Sequence, residues 1–154
     1  MSPEPSNTMN TLLYVTALLA GLGLAVQVGL NSTMRQFTGT AAFAAVISFC
    51  VGLAGLLVFL LVTRSELPTR SALASAPWWA WLGGLCGAFY VAIATIAGPK
   101  LGASTLLALA LVGQICTAIV LDHFGWLGFP QHSISLIRVS GAGLLIAGVL
   151  MISR

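Results

Sequence analysis

No charged side chain occurs between Gln36 and Thr63, and residues 41–62 of this stretch read AAFAAVISFCVGLAGLLVFLLV. A helix that crosses the hydrocarbon core of a bilayer needs about 20 consecutive, mostly apolar residues. The stretch meets that requirement. Neither it nor the other apolar runs of the chain alternates polar and apolar residues with a period of two, as the strands of an outer-membrane barrel do. The stretch therefore predicts a transmembrane helix.

The composition of the whole chain agrees with this prediction. Of the 154 residues, 58% are hydrophobic and only 6% are charged, against about 25% charged residues in an average soluble domain. So few charges could not cover a water-soluble fold of this size, which disfavours a soluble enzyme, a disordered chain and a secreted disulfide scaffold. The net charge of +3 is scattered and forms no basic stripe for phosphates, so no nucleic-acid partner is predicted.

Motifs for catalysis and for metal binding are missing from the sequence. Cys50, Cys86 and Cys116 stand singly in apolar runs, as small hydrophobic residues do. No phosphate-binding loop, nucleophile elbow or cluster of metal ligands occurs. The sequence therefore predicts no enzyme and no cofactor. Since no basic residue precedes the first apolar run, that run is expected to be a retained helix and not a signal peptide.

Charged and turn-forming residues divide the chain into five apolar runs. Boundaries fall at Arg35, at the pair Gly98-Pro99 and at Asp122. We predict an all-α integral membrane protein whose residues 1–154 form a single transmembrane domain. Its five helices are expected at about residues 11–34, 41–62, 77–97, 103–121 and 135–152.

The basic residues suggest how such a protein would insert. With five spans, one side of the membrane would hold Arg64, Arg70 and Arg138, and the other side Arg35, Lys100 and Arg154. Orientation normally follows an excess of Lys and Arg on the cytoplasmic side, and here the sides are equal. We expect insertion in both orientations and an antiparallel homodimer, which would recreate the inverted symmetry of larger transporters. The alternative is one orientation, set by hydrophobic order or by a partner protein.

Polar residues form a stripe along the first predicted helix. Gln27, Asn31 and Arg35 are spaced four residues apart, which places them on one face. A carboxamide facing lipid would leave its donors unsatisfied, so this face should meet protein or a water-filled cavity. We favour a solute pathway, and hydrogen bonding between packed helices is the alternative.

Further candidate residues lie in the later spans. Gln114 and Asp122 are eight residues apart in the fourth span. Asp122 is the only carboxylate near a span, so it is a candidate for proton coupling or for pairing with a basic residue such as Arg35 or Arg138. The alternative is a hydrated carboxylate at the membrane surface, with its neighbour His123 in a loop.

The second and third spans contribute a serine and two aromatic residues. Ser48 could line a cavity beside Gly52, although a serine that bonds to its own helix backbone is commoner. Trp81 and Tyr90 could form an aromatic wall for a small solute. The complete set of predicted substrate-binding residues is Gln27, Asn31, Arg35, Ser48, Trp81, Tyr90 and Gln114.

Seven short motifs occur together in one order along the chain. They are Gln27-x-x-x-Asn31, Ser48-Phe49-x-x-Gly52, Trp81-x-Gly83-Gly84-x-x-Gly87 before Tyr90-Val91, Gly98-Pro99-x-x-Gly102-Ala103, Gly113-Gln114, Asp122-His123-Phe124-Gly125 and Arg138-x-x-Gly141. The ordered set resembles the small five-helix YdcZ-like family of the drug/metabolite transporter superfamily, over about residues 11–152.

This resemblance implies a bacterial inner-membrane transporter that occurs as a dual-topology homodimer, as an oppositely oriented pair or as a fused ten-helix form. Small multidrug exporters of the same superfamily carry a glutamate in their first helix, where this chain has Gln27. Antiport of quaternary cations is therefore not expected. Arg35 and Arg138 would instead suit an anionic or neutral solute.

The leading hypothesis is alternating-access transport of a small organic solute, in the direction of efflux, by an antiparallel dimer in the bilayer. One alternative is a passive channel, which could use the same polar residues. Another is a non-transporting subunit of a different membrane protein. In that case the pair Gly83-x-x-x-Gly87 and the glycines of the fifth helix would be docking surfaces.

Overall fold

The computed structural model describes residues 7–153, and the regular structure in this range is entirely helical. Its α-helices are α1 (Asn7–Thr38), α2 (Ala41–Thr63), α3 (Arg70–Ala74), α4 (Gly83–Leu101), α5 (Ala103–Phe124) and α6 (Leu136–Ile152). Short 3₁₀ helices over Trp78–Leu82 and Trp126–Gly128 precede α4 and follow α5. The predicted all-α class is confirmed.

Four helical segments of the described range are long and apolar enough to cross a membrane. They are Met9–Thr38, Ala41–Thr63, Trp78–Leu101 and Ala103–Phe124. The fifth predicted span corresponds to α6, an apolar helix of 17 residues. At 1.5 Å per residue α6 extends about 26 Å, somewhat less than the hydrocarbon thickness of about 30 Å.

Large apolar side chains point outward from these helices. Leu61 and Val62 of α2 are 78% and 77% exposed, and Met151 of α6 is 80% exposed. In water each would carry a cost of roughly 25 cal/mol for every Å² of apolar surface. In a bilayer the same surfaces contact lipid chains, so their exposure fits a membrane protein.

The structure corrects both boundaries of the third predicted span and adds one short helix. The third span was expected to stop at Gly98-Pro99, but α4 continues through both residues to Leu101. The same span was expected to begin at about residue 77, but Pro77 precedes a 3₁₀ helix and the α-helix begins at Gly83. The short helix α3 was not predicted. It begins because the Thr69 hydroxyl accepts a hydrogen bond from the Ala72 amide at 3.2 Å, as N-cap residues do.

The chain forms two compact units that divide between Pro99 and Lys100. In the first unit α1 packs against α2, and the two are joined by a tight turn at Gly39 and Thr40. Gly39 has φ +75, a value that favours glycine. The Thr40 side chain caps α2 by accepting a hydrogen bond from the Phe43 amide at 3.2 Å.

In the second unit α5 packs against α6. The helix α5 is capped at its C-terminus by Gly125, whose φ of +63 lies in the left-handed region. The helix α6 is capped at its N-terminus by Ser135, whose side chain accepts a hydrogen bond from the Arg138 amide at 3.3 Å. Each unit thus contains one packed pair of sequence-adjacent helices, with α3 and most of α4 also in the first unit, and each contains candidate site residues. Arg154, one of the six basic residues counted for the predicted orientation, lies outside the described residues.

Candidate functional site

A cavity of about 480 Å³ lies between α1 and α2. Its lining residues are Gln27, Ser48, Phe49, Gly52, Leu53 and Leu56. Two of the predicted substrate-binding residues therefore line one cavity. Gln27 contributes a carboxamide from α1, and Ser48 contributes a hydroxyl from α2. The volume falls within the roughly 300–1,000 Å³ that small-molecule sites occupy, and a few polar groups on an apolar wall are typical of such sites.

The two polar side chains of this cavity are available to a ligand. Gln27 and Ser48 are both half-buried, and within residues 7–153 neither side chain has a hydrogen-bond partner. The serine does not bond to its own helix backbone, unlike Ser32 of α1, whose hydroxyl donates to the Val28 carbonyl at 2.7 Å. The cavity therefore presents one carboxamide and one hydroxyl that need partners.

Asn31 lies one helical turn after Gln27 and is only 6% exposed. Its carboxamide has no hydrogen-bond partner among the described residues. No side-chain polar atom in that range is both fully enclosed and unpartnered, so the carboxamide still reaches open space. Leaving a buried polar group unpaired costs about 1–3 kcal/mol, which makes Asn31 a group that a solute or a water molecule would stabilise.

Arg35 lies one further turn along α1 and connects this helix to α4. Its Nη1 donates to the backbone carbonyl of Thr95 at 3.4 Å. In an α-helix that carbonyl would accept from the amide of the fourth following residue. Here that residue is Pro99, which has no N–H. The arginine therefore offers a donor to the carbonyl whose usual donor the proline removes, at a point where α4 continues through Pro99.

Arg35 carries no ion pair within the described range, where the salt bridge joins Asp122 and Arg138. The other described carboxylate, Glu66, lies in the exposed loop after α2. Arg35 is thus a half-buried cation whose guanidinium makes one long hydrogen bond to a neutral oxygen within residues 7–153. Such a guanidinium is suited to bind an anion, because charge-assisted hydrogen bonds are roughly twice as strong as neutral ones.

The acidic candidate belongs to the second unit. Asp122 Oδ2 accepts from Arg138 Nη2 at 2.7 Å, and the two side chains are 20% and 35% exposed. Arg138 Nη1 also donates to the His132 carbonyl at 3.3 Å. Both residues line a cavity of about 350 Å³ between α5 and α6. Asp122 therefore pairs with Arg138 and not with Arg35, and the charge of Arg138 is neutralised.

Backbone hydrogen bonds fasten the connection between α5 and α6 around this ion pair. The His132 amide donates to the Asp122 carbonyl at 2.7 Å. The Ile134 amide donates to His123 Nδ1 at 3.2 Å, and Gln131 Nε2 donates to the His123 carbonyl at 3.1 Å. His123 was expected in a loop, but it lies in the last turn of α5 and organises the residues that follow.

The remaining candidates lie apart from these cavities. Trp81 is 62% exposed, Tyr90 is half-buried in α4, and neither lines the α1–α2 cavity. Gln114 is exposed on α5. It lines neither the α5–α6 cavity described above nor a second cavity between the same two helices. One glycine of the predicted docking motif already has a neighbour, since the Phe49 ring lies 3.6 Å from where a Gly87 Cβ would stand.

Sequence reasoning missed the partners of the two arginines. Thr95 is fully buried, and its carbonyl is the acceptor for Arg35. The spacing Thr95-x-x-x-Pro99 could have indicated an orphaned carbonyl, since a proline four residues downstream removes its donor. No comparable signal marks His132, because it contributes only its backbone groups.

Known proteins resemble this chain over nearly its whole length. The family described as "Putative inner membrane exporter, YdcZ" matches residues 12–151. The chain is also similar to "Inner membrane protein YdcZ" of Escherichia coli strain K12, with 30% identity over 148 residues, which cover 95% of this chain and 98% of that relative. No solved structure matches the chain. The family match includes every residue of the α1–α2 cavity and the Asp122–Arg138 pair.

Proposed function

The chain belongs to the YdcZ family, and we propose that this multi-pass inner membrane protein is a carrier that exports a small organic solute by alternating access. Membership of an exporter family supports a membrane transporter rather than an enzyme. The substrate-binding residues would be Gln27, Asn31, Arg35 and Ser48. Trp81, Tyr90 and Gln114 would contribute only in a different conformation or in an assembly.

One observation carries this proposal. A buried Asn31 carboxamide without a partner stands in line with Gln27, which lines a cavity of about 480 Å³. In hydrocarbon such groups persist only where they face protein or a water-filled space. If they served to fasten helices, they would already be hydrogen-bonded across the packed α1–α2 pair.

We propose further that the working unit is an antiparallel homodimer of this single-domain chain. The equal division of basic residues between the two sides supports insertion in both orientations. Two oppositely inserted copies would give an inverted repeat with a site near the midplane, as in many secondary transporters. Proton coupling through Asp122 stays a prediction, since its carboxylate is engaged by Arg138.

Flux into proteoliposomes tests the carrier. Radiolabelled lactate, succinate and erythritol represent a monoanion, a dianion and a neutral solute. We expect saturable flux of at least one of them, stimulated by unlabelled solute on the opposite side, and its loss in Asn31→Leu. Thr33→Leu is the matched control on α1, because Thr33 is exposed and bonds to its own helix at the Gly29 carbonyl.

Two results would contradict the carrier, and a third would contradict the assignment of Asn31 to its site. Flux of all three solutes equal to that of protein-free vesicles would exclude it for these classes. Flux that does not saturate and greatly exceeds about 10³ per second, the upper range of enzyme-like turnover, would indicate a channel. Unchanged flux in Asn31→Leu would remove Asn31 from the site.

Cysteine labelling tests the topology. Ser153→Cys would be placed in a background that lacks Cys50, Cys86 and Cys116, all of which are exposed. An impermeant thiol reagent is then applied to intact and to permeabilised cells. Labelling of roughly half the molecules from outside is expected for insertion in both orientations. Labelling from one side only would contradict the antiparallel homodimer.

A further inference from the structure

The contact between Arg35 and Thr95 joins two features that are unusual in membrane helices. One is a cation without a carboxylate partner in the described range, and the other is a helix carbonyl whose normal donor is replaced by Pro99. Each compensates for the other in this conformation. The carbonyl receives a hydrogen bond, and the guanidinium finds an acceptor inside the protein.

This contact is weak enough to be exchanged. Its length of 3.4 Å exceeds the 2.7–3.2 Å usual for N–H···O bonds, and the acceptor is neutral. A carboxylate would bind the same guanidinium through shorter, charge-assisted bonds, often two in parallel. A solute with a carboxylate would therefore displace the Thr95 carbonyl from Arg35.

The surroundings of Arg35 favour an anion over a cation. Asn31, one turn earlier on the same face, offers an unpartnered amide that can donate to a carboxylate oxygen. Gln27, one turn before that, offers a second amide at the α1–α2 cavity. The three residues extend over about 12 Å of α1, so a small solute with its anionic group at Arg35 would lie next to the Asn31 carboxamide.

We propose that Arg35 binds the carboxylate of the transported solute in exchange for the Thr95 carbonyl, so that anion binding frees the last turn of α4 to bend at Pro99. The assignment of the anion to the solute rests on the proposed function. When the carbonyl loses Arg35, residues 96–101 lose the bond that offsets the missing proline donor. Bends in helices concentrate at proline, and Gly102, with φ +81, follows at once.

Amide hydrogen exchange tests the contact without any solute. In nanodiscs of phosphatidylcholine, Arg35→Gln should raise the amide exchange rates of residues 96–98, 100 and 101 about tenfold, as expected for loss of one bond from a charged donor. Pro99→Ala restores a backbone donor for the Thr95 carbonyl. Adding Arg35→Gln to Pro99→Ala should therefore change these rates less than about twofold. If Arg35→Gln raises the amide exchange rates equally with Pro99 in place and in the Pro99→Ala background, or in neither case, Arg35 does not replace the missing proline donor and the proposal is overturned.

Carboxylates test the ligand. Lactate or succinate should raise the same exchange rates in the unmodified protein about tenfold and saturably, and should have no effect in Arg35→Gln. The amide succinamide, with the same skeleton and no charge, should have no effect. Arg35→Lys keeps the charge but not the two-pronged geometry, so the half-saturating concentration should rise. No response to either carboxylate, or an equal response to succinamide, would overturn the proposal.

A lipid phosphate has related chemistry and must be distinguished. Replacing part of the phosphatidylcholine with phosphatidylglycerol should leave the response to carboxylate in place. If the amide exchange rates instead rise with the fraction of anionic lipid and do not respond to carboxylates, the bound anion is a headgroup and the solute assignment is wrong. If exchange responds to carboxylates while no solute crosses vesicles, the transport proposal fails and the anion site stands.

Discussion

Arg35 and Arg138 are both half-buried arginines at the ends of membrane helices, yet their surroundings differ. Arg138 donates to a carboxylate at 2.7 Å and to the His132 carbonyl at 3.3 Å. Arg35 donates to one neutral carbonyl at 3.4 Å. One guanidinium is neutralised within its own unit, and the other keeps its charge available. A count of basic residues treats the two alike, although of the two only Arg138 is paired with a carboxylate in the described range.

The same contrast extends to the helix pairs. At the α5–α6 connection, Asp122 and His123 bond to the residues that precede α6. In the α1–α2 pair, the Gln27 and Ser48 side chains have no partners among the described residues. Satisfied polar networks make a structure rigid, whereas unpaired buried polar groups are costly and indicate a function. Gln27 and Ser48 belong to the first unit, whereas the Asp122–Arg138 ion pair belongs to the second.

The largest expected effect comes from removing the available charge. Arg35→Gln should lower the flux of a carboxylate solute about 10- to 100-fold, because a bond to a charged group contributes about 1.5–3 kcal/mol and each 1.36 kcal/mol is a factor of ten. The measurement is initial flux into proteoliposomes at equal protein content. Arg70→Gln, which removes an exposed charge from α3, is the control. Equal flux in the two variants would show that the charge of Arg35 contributes no more to transport than the exposed charge of Arg70.

Breaking the ion pair should affect stability next. Asp122→Asn leaves Arg138 without its carboxylate and should lower the free energy of unfolding by about 1–3 kcal/mol, measured by thermal denaturation of the purified protein. The charge-swapped double variant with Asp122→Arg and Arg138→Asp should recover part of the lost free energy of unfolding. Glu66→Gln, in an exposed loop, should change stability by less than about 0.5 kcal/mol. A destabilisation no larger than that of Glu66→Gln would show that the pair does not fasten the second unit.

The smallest expected effect separates two histidines. His123→Ala removes the acceptor of the Ile134 amide and should cost about 1 kcal/mol of unfolding free energy. His132→Ala should cost much less, since His132 bonds through its backbone amide and carbonyl. Thermal denaturation measures both variants. The reverse order would mean that the loop is held by side-chain contacts of His132.

Hydropathy was sufficient to predict the membrane helices, because runs such as residues 41–62 have no alternative to lipid. The end of α4 could not be predicted in the same way. Local rules stop a helix before Pro99, and the donor that lets α4 continue comes from Arg35, which is distant in sequence. Cavity partners such as Gln27 and Ser48 were predicted separately, but their meeting depends on how α1 packs against α2. Only tertiary structure could divide the arginines into a paired and an unpaired one.

The short length of α6 has a consequence for the surrounding membrane. Its neighbour α5 has 22 residues and α6 has 17, so the two differ by about 8 Å in length. A bilayer that matches α5 leaves α6 in negative hydrophobic mismatch, which is relieved by local thinning or by a tilted partner helix. Lipid chain length should therefore shift the balance between conformations of this protein, and bilayer thickness becomes a physical variable of its activity.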